Sequence, residues 1–266
     1  MKISNLKKLK PKDLIVFDLD GTLTLTKSAL DSQMADLFRQ LLALKKVAVI
    51  SGGKYKIFQT QLLHHLAVPK KLLQNLFLFP TTGTSFYRYE AGWKNVYALE
   101  LSSSERKKIK TAFSAVLKNI GYEHPKKVYG RVVEDRRTQI TFSALGQDVV
   151  ALLGKRRGVA LKERWLRENR DLKMKIVKGV ARALPEFEVR AAGFTSIDVT
   201  KKGIDKAYGL EQMKSYLKVD IKDMLFIGDA IFPGGNDYAV VRTGVDFIPV
   251  TGPAETKKII REILRS

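Results

Sequence analysis

The sequence predicts an α/β protein in which a parallel sheet wound with helices is interrupted by an inserted α+β unit. Three observations carry this. Short apolar runs alternate with amphipathic stretches at both ends of the chain, the pattern of parallel strands joined by crossover helices. The middle of the chain replaces that alternation with paired strand-like runs around tight turns. Two apolar runs, Leu14–Phe17 and Leu225–Ile227, lead straight into acidic loops that contain glycine.

Leu14–Asp18 is short, branched and aromatic, so it reads as a buried strand. Helices are expected over about 28–44 and 54–66, with strands at Val47–Ser51 and Leu76–Phe79. The far end repeats the pattern. A helix near Lys206–Leu217 leads to a strand at Met224–Gly228, a Gly/Pro-rich loop and a short helix. A strand at Phe247–Val250 and a last helix over about 254–265 follow.

Between these ends, Ser85–Tyr89 and Asn95–Leu101 flank a turn at Ala91-Gly92, and a helix capped by Ser103 or Ser104 runs to about Asn119. Val128–Glu134 and Thr138–Ser143 flank a charged turn, and Phe187–Ala192 and Thr195–Thr200 form a second hairpin around Gly193. The segment Lys155–Lys178 carries ten Lys and Arg against three acids, with apolar residues at near-helical spacing, so it reads as an amphipathic helix with a charged outer face. The expected division is a core of residues 1–84 and 200–266, with residues 85–199 inserted between them.

The chain has 266 residues, enough to bury a sizeable core in one large or two smaller domains. No apolar run approaches the roughly 20 residues that span a bilayer, and residues 1–10 have no apolar stretch long enough for a secretory signal. The absence of cysteine excludes disulfides and thiolate chemistry and agrees with a cytoplasmic setting. A net charge of +21 has two readings, a polyanion partner or a solvated basic surface. The basic residues spread along the whole chain without a nucleic-acid signature, which argues against nucleic acid as the main partner.

Asp18 and Asp20 stand where a buried strand ends, and Gly21 lets the chain turn. Two acids so close repel each other unless a cation or a shared proton compensates, and a hard cation such as Mg2+ suits oxygen ligands. Ser51-Gly52-Gly53 after the second strand can wrap an anion with backbone N–H groups, although a turn that needs glycine explains it as well. Lys206 at a helix start offers an ammonium to phosphate, although a lone lysine in so basic a chain is more readily a surface residue. Gly228-Asp229 followed by Pro-Gly-Gly-Asn236-Asp237 places two more acids after a buried strand.

Taken in order, the acid-x-acid pair, the serine, the lysine and the Gly-Asp…Asn-Asp loop resemble the haloacid dehalogenase superfamily of phosphatases and phosphomutases. The insertion sits where that superfamily's type IIB members carry a large cap. The loop from Gly228 to Asp237, and Ser196-Ile-Asp198 followed by Gly203-Ile-Asp-Lys206, are similar to the eukaryotic-type phosphomannomutases. The resemblance implies a Rossmann-like core and a mechanism. Asp18 is the nucleophile that forms an aspartyl phosphate, and Asp20 is the general acid and base. Ser51 and Lys206 hold the phosphoryl oxygens. Mg2+ is bound by Asp18, Asp20 through its backbone carbonyl, and Asp229. Asp237 orients Lys206 or metal-bound water, and Asn236 braces the loop. Arg131, Arg136, Ser196 and Asp198 on the insertion contact substrate, and two copies pair through it as a homodimer.

The chain also departs from those mutases. Gln147 follows Gly146 where they carry an arginine for the distal phosphate, and Thr81-Thr-Gly-Thr84 replaces their usual Glu-Asn-Gly. A mutase grips a bisphosphorylated intermediate at both ends, and losing a guanidinium weakens one grip. Hydrolysis of a small phosphorylated sugar or polyol is therefore the first expectation. Interconversion of mannose 6-phosphate and mannose 1-phosphate is the alternative, and a non-catalytic nucleic-acid-binding protein the remote one.

Overall fold

The computed structural model describes residues 11–265. From the amino end, β1 (Leu14–Asp18), α1 (Ser32–Leu44), β2 (Lys46–Ile50), α2 (Tyr55–Gln61) and β3 (Leu76–Phe79) alternate as expected. A single turn, α3 (Pro80–Gly83), leads to the hairpin β4 (Ser85–Tyr89) and β5 (Trp93–Ala98). The chain then passes through α4 (Ser103–Asn119), β6 (Val133–Asp135), β7 (Ile140–Ser143), α5 (Val149–Leu153), α6 (Lys155–Ala183), β8 (Phe187–Ala192) and β9 (Ser196–Lys201). It ends with α7 (Lys206–Leu217), β10 (Met224–Gly228), β11 (Asp246–Pro249) and α8 (Pro253–Arg265). These elements form two compact units, one of the described residues up to Ala98 and from Asp205 onward, the other Leu99–Ile204.

The first unit is built on a seven-stranded sheet in the order β11-β10-β1-β2-β3-β4-β5. Its five members from β11 to β3 are parallel, and β4 and β5 add on antiparallel. One face of the sheet packs Phe17, Val49 and Leu78 against Phe38, Leu41 and Leu42 of α1 and Ile259 and Ile260 of α8. The other packs Val16, Ala48, Ile50 and Phe79 against Leu210 and Met213 of α7. Both faces are covered, so the strands are apolar runs without alternation. Each fully buried Val, Leu, Ile, Phe or Met among them contributes about 1.5–3 kcal/mol of burial.

The hairpin β4–β5 departs from the expected division at residue 85. β4 pairs with β3 at Phe77↔Arg88 and Leu78↔Tyr87, and Phe86 stacks on Phe79 at 4.6 Å. That stack draws the hairpin onto the core sheet, and the second unit starts at Leu99. Helix α1 starts at Ser32, later than expected, because the Asp31 carboxylate accepts from the Met34 amide and caps it there. The long helix expected over 54–66 ends at Gln61 and is followed by a tighter turn at Leu63–His65.

The second unit has an antiparallel sheet in the order β6-β7-β9-β8. One face carries Ile140, Phe142, Ile197 and Val199 into an apolar core with Phe113 and Val116 of α4 and Ile176 and Val180 of α6. With the period of two, Thr141, Ser143, Ser196 and Asp198 share the other face. Helix α4 begins with a reciprocal Ser102–Glu105 capping box. The basic segment is helical, as its spacing predicts, but is split from α5 at Gly154 and kinked at Asn169, whose side chain bonds the Trp165 carbonyl at 3.0 Å. The strand expected from Val128 shrinks to β6, because Tyr129 instead exchanges backbone bonds with Leu145 and Asp148. No helix among the described residues is long and apolar enough to cross a membrane.

Candidate active site

Parallel pairing brings distant segments to one edge. Phe17 lies opposite Ile227 and Asp18 opposite Ile50, so Asp229 and Ser51 follow immediately at the neighbouring strand ends. In open α/β sheets this carboxyl edge is where ligands bind. Helix α7 starts at the same place. The Asp205 carboxylate accepts from the Tyr208 amide at 3.1 Å and pairs with Arg242 at 2.6 Å, which fixes the turn that delivers Lys206.

The Lys206 ammonium is 1% exposed and lies between two carboxylates. It donates to Asp18 Oδ1 at 2.5 Å and also to Asp237 Oδ1. Asp237 is wholly buried, and its second oxygen accepts from the Ala230 amide at 3.0 Å. Carboxylate oxygens of Asp18, Asp229 and Asp237 lie within 4.8 Å of one another. Close approach of the backbone permits this. Gly21 has φ of 89°, and a side chain there would strike the Asp229 carboxylate; one at Gly228 would strike Asp237.

The electrostatics follow from the crowding. Burial raises the Asp18 carboxyl well above its usual range, the charges of Asp237 and Asp229 push the same way, and Lys206 opposes them. Burial, then Asp237, likewise raises Asp229. Burial alone would lower the Lys206 ammonium, but Asp18 and Asp237 outweigh it and hold Lys206 charged. Among the described residues, three carboxylates therefore crowd around one ammonium, a deficit of positive charge. A divalent, oxygen-loving cation fits that donor set and that deficit.

The other residues singled out in the sequence fall as follows. The Asp20 carboxylate accepts from the Lys27 amide at 2.6 Å, and its charge reaches Asp229. Ser51 is 4% exposed, and its hydroxyl accepts from the Gly53 amide at 3.2 Å. Thr81 and Thr82 brace that loop by donating their amides to Gly53 and Ser51, at 2.9 and 2.8 Å, from left-handed backbone (φ 49° and 60°). Asn236 is exposed, beside but outside the acidic cluster.

In the second unit Arg131 is exposed, whereas Arg136 is partly buried, paired with Glu134 at 2.7 Å and bonded to Gln147 Oε1 at 3.3 Å. Asp198 lies opposite Thr141, whose hydroxyl donates to it at 2.7 Å; Gln139 in turn donates to Thr141 at 2.9 Å. Burial raises the Asp198 carboxyl, against the pull of Arg136, the Thr141 hydrogen bond, Lys173 and Gln139. Ser196 shares its face of β9. Sequence reasoning did not reach Gln139, Thr141, Glu134 or Lys173. The first two were within reach: Gln139, Thr141 and Ser143 alternate with apolar residues, the mark of a polar sheet face.

Residues 15–241 match the haloacid dehalogenase-like hydrolases, and the chain belongs to that family of enzymes. Within it the relationship is phosphomannomutase-like. The chain is 25% identical over 268 residues to a probable phosphomannomutase of Caenorhabditis elegans, covering 96% of both. It is 26% identical to a phosphomannomutase of Spinacia oleracea, again with 96% of both covered. The fold resembles the IMP-nucleotidase of Plasmodium falciparum (TM-score 0.68, 17% identity, 99% of this chain and 70% of that one). It also resembles the trehalose-6-phosphate phosphatase of Aspergillus fumigatus (TM-score 0.55, 18% identity, 99% and 96%).

Proposed function

We propose that this enzyme is a Mg2+-dependent phosphotransferase acting on a small phosphorylated sugar, and that it interconverts mannose 6-phosphate and mannose 1-phosphate. The observation that carries the reading is the buried Asp18–Lys206–Asp237 cluster with Asp229 beside it. It lies in a chain collinear with phosphomannomutases over 96% of its length.

Asp18 and Asp229, with Asp20 through its backbone carbonyl, are the residues that would hold Mg2+, which offsets phosphate charge when bound, while Asp237 orients Lys206. Lys206 fixes the Asp18 carboxylate through Oδ1, and a carboxylate oxygen of Asp18 attacks phosphorus to form an aspartyl phosphate. Asp20 gives a proton to the departing sugar oxygen and later takes one from the attacking hydroxyl. Ser51 and Lys206 bind the transferring phosphoryl oxygens, where electrostatic stabilisation does most of the catalysis. Asn236 braces the loop that carries Asp237. Arg131, Arg136, Ser196 and Asp198 are assigned to sugar and distal-phosphate recognition. A cytoplasmic homodimer, paired through the second unit, completes the proposal.

A second reading, simple hydrolysis, is favoured by one observation. The position where the mutases carry an arginine is the neutral Gln147, and the adjoining Arg136 is paired with Glu134. A weak distal grip suits a substrate with one phosphate. One assay separates the readings: purified enzyme with Mg2+, mannose 1-phosphate and a trace of sugar bisphosphate. Mannose 6-phosphate without stoichiometric free phosphate supports the mutase, and phosphate release alone supports the hydrolase. Turnover of neither kind on any phosphorylated sugar refutes both.

A further inference from the structure

Lys173 lies deep in the second unit, 5% exposed, on the stretch of α6 that follows the Asn169 kink. A lysine is seldom buried unless its ammonium is satisfied. Here Nζ reaches across to the turn between β8 and β9 and donates to the carbonyls of Gly193 and Ala192 at 2.6 and 3.3 Å. That turn opens directly into Ser196 and Asp198. It is fastened from the other side as well: Thr195 accepts the Ala144 amide at 3.0 Å, and its hydroxyl meets that of Ser143 at 3.1 Å. The turn at the Ser196 end of that polar face is thus held by hydroxyls on one side and by one ammonium on the other.

The charge on Lys173 also acts at Asp198, where it favours the ionised carboxylate together with Arg136 and Thr141. Asp198 is the charged group facing Lys173. Helix α4 turns Ile109, Phe113 and Val116 into the shared core, α5 has no charged residue, and Glu188 and Arg190 on β8 pair with each other at 3.2 Å.

We infer that Lys173 is a positioning residue for substrate recognition: its ammonium anchors the β8–β9 turn, so that Ser196 and Asp198 are presented to the sugar. The inference rests on the assignment of those two residues to sugar binding. Its consequence is a dependence of substrate binding on pH. Burial lowers the Lys173 ammonium to about 8, against the opposing charge of Asp198. On deprotonation the amine keeps two hydrogens for the two carbonyls, but the bonds weaken and the field at Asp198 is lost.

The test compares the wild-type chain, Lys173→Met and Lys173→Arg, each with Mg2+ and mannose 1-phosphate, from neutral pH to about pH 9.5. Lys173→Met is expected to raise KM about tenfold while kcat stays within about twofold, the signature of lost binding. Wild-type KM is expected to climb as pH passes about 8. Lys173→Arg, which stays charged, should keep a low KM and flatten that climb. Amide hydrogen exchange from Ala192 to Ser196, followed without substrate, should quicken about tenfold in Lys173→Met and stay near wild type in Lys173→Arg. A Lys173→Met enzyme with wild-type KM, or one that loses kcat alone, overturns the inference. So does a wild-type KM that is flat through pH 8. If the wild type turns over no sugar phosphate, the functional assignment fails, and the exchange rates alone then decide whether Lys173 anchors the turn.

Discussion

Replacing Lys206 by methionine tests the charge balance of the acidic cluster directly. The ammonium is 1% exposed, and the side chains of its partners Asp18 and Asp237 are 5% and 0% exposed. Removing one member of a buried ion pair, and so stranding its partner, costs about 3–5 kcal/mol. At about 2–4 °C per kcal/mol for a protein of this size, Lys206→Met should melt roughly 6–20 °C below wild type at pH 7 in the presence of a chelator. The deficit should also shrink on acidification. Burial already raises the carboxyls of Asp18 and Asp229, and loss of the ammonium raises them further. Between the unfolded value and the raised one, the native state binds more protons than the unfolded state, so stability rises as pH falls through that window. Thermal unfolding followed by circular dichroism at pH 7 and pH 5 measures both effects. A variant that melts within about 2 °C of wild type, or whose deficit is the same at both pH values, refutes the account of Lys206 as the buried counter-charge of Asp18 and Asp237.

Asp18→Asn should abolish turnover while the circular dichroism spectrum stays native; retained activity removes Asp18 as the nucleophile. Saturating Mg2+ at about 100 times its dissociation constant should stabilise the wild-type protein by about 2.7 kcal/mol, and Asp229→Ala should lose most of that shift in the same thermal scan. Thr82 holds a left-handed conformation that costs a residue with a branched side chain about 1–2 kcal/mol, so Thr82→Asn should raise the melting temperature by about 2 °C. An unchanged or lowered value would show that its backbone is not strained.

The core strands were legible because burial on both faces leaves a mark that needs no partner: Leu14–Phe17 and Leu225–Ile227 are apolar throughout. Sequence alone could not rank the helix starts. Ser28 and Asp31 are both good caps, and only the amide of Met34 meeting the Asp31 carboxylate decides between them. Nor could alternation in Ser85–Tyr89 say which sheet that strand joins; the stack of Phe86 on Phe79 decides it. At the site, the residue types were readable but their depth was not. Lys206, taken alone, read better as a surface lysine until the parallel pairing of β1 with β10 set Asp18 beside the loop that carries Asp237. Lys173 gave no signal at all, because its role depends on a turn twenty residues away in sequence.

The pairing of β1 with β10 sets an order on how the chain matures during synthesis. Every contact within Leu99–Ile204 becomes available once that contiguous stretch has left the ribosome. The strand that carries Asp18 must wait for Leu225–Ile227, its neighbour across the sheet. Until then Leu14–Phe17 has an open edge, the kind of surface on which nascent chains associate wrongly. A ribosome-stalled chain that ends near residue 240, with β10 still inside the exit tunnel, should therefore protect the inserted unit from protease while leaving the first strand open to cleavage.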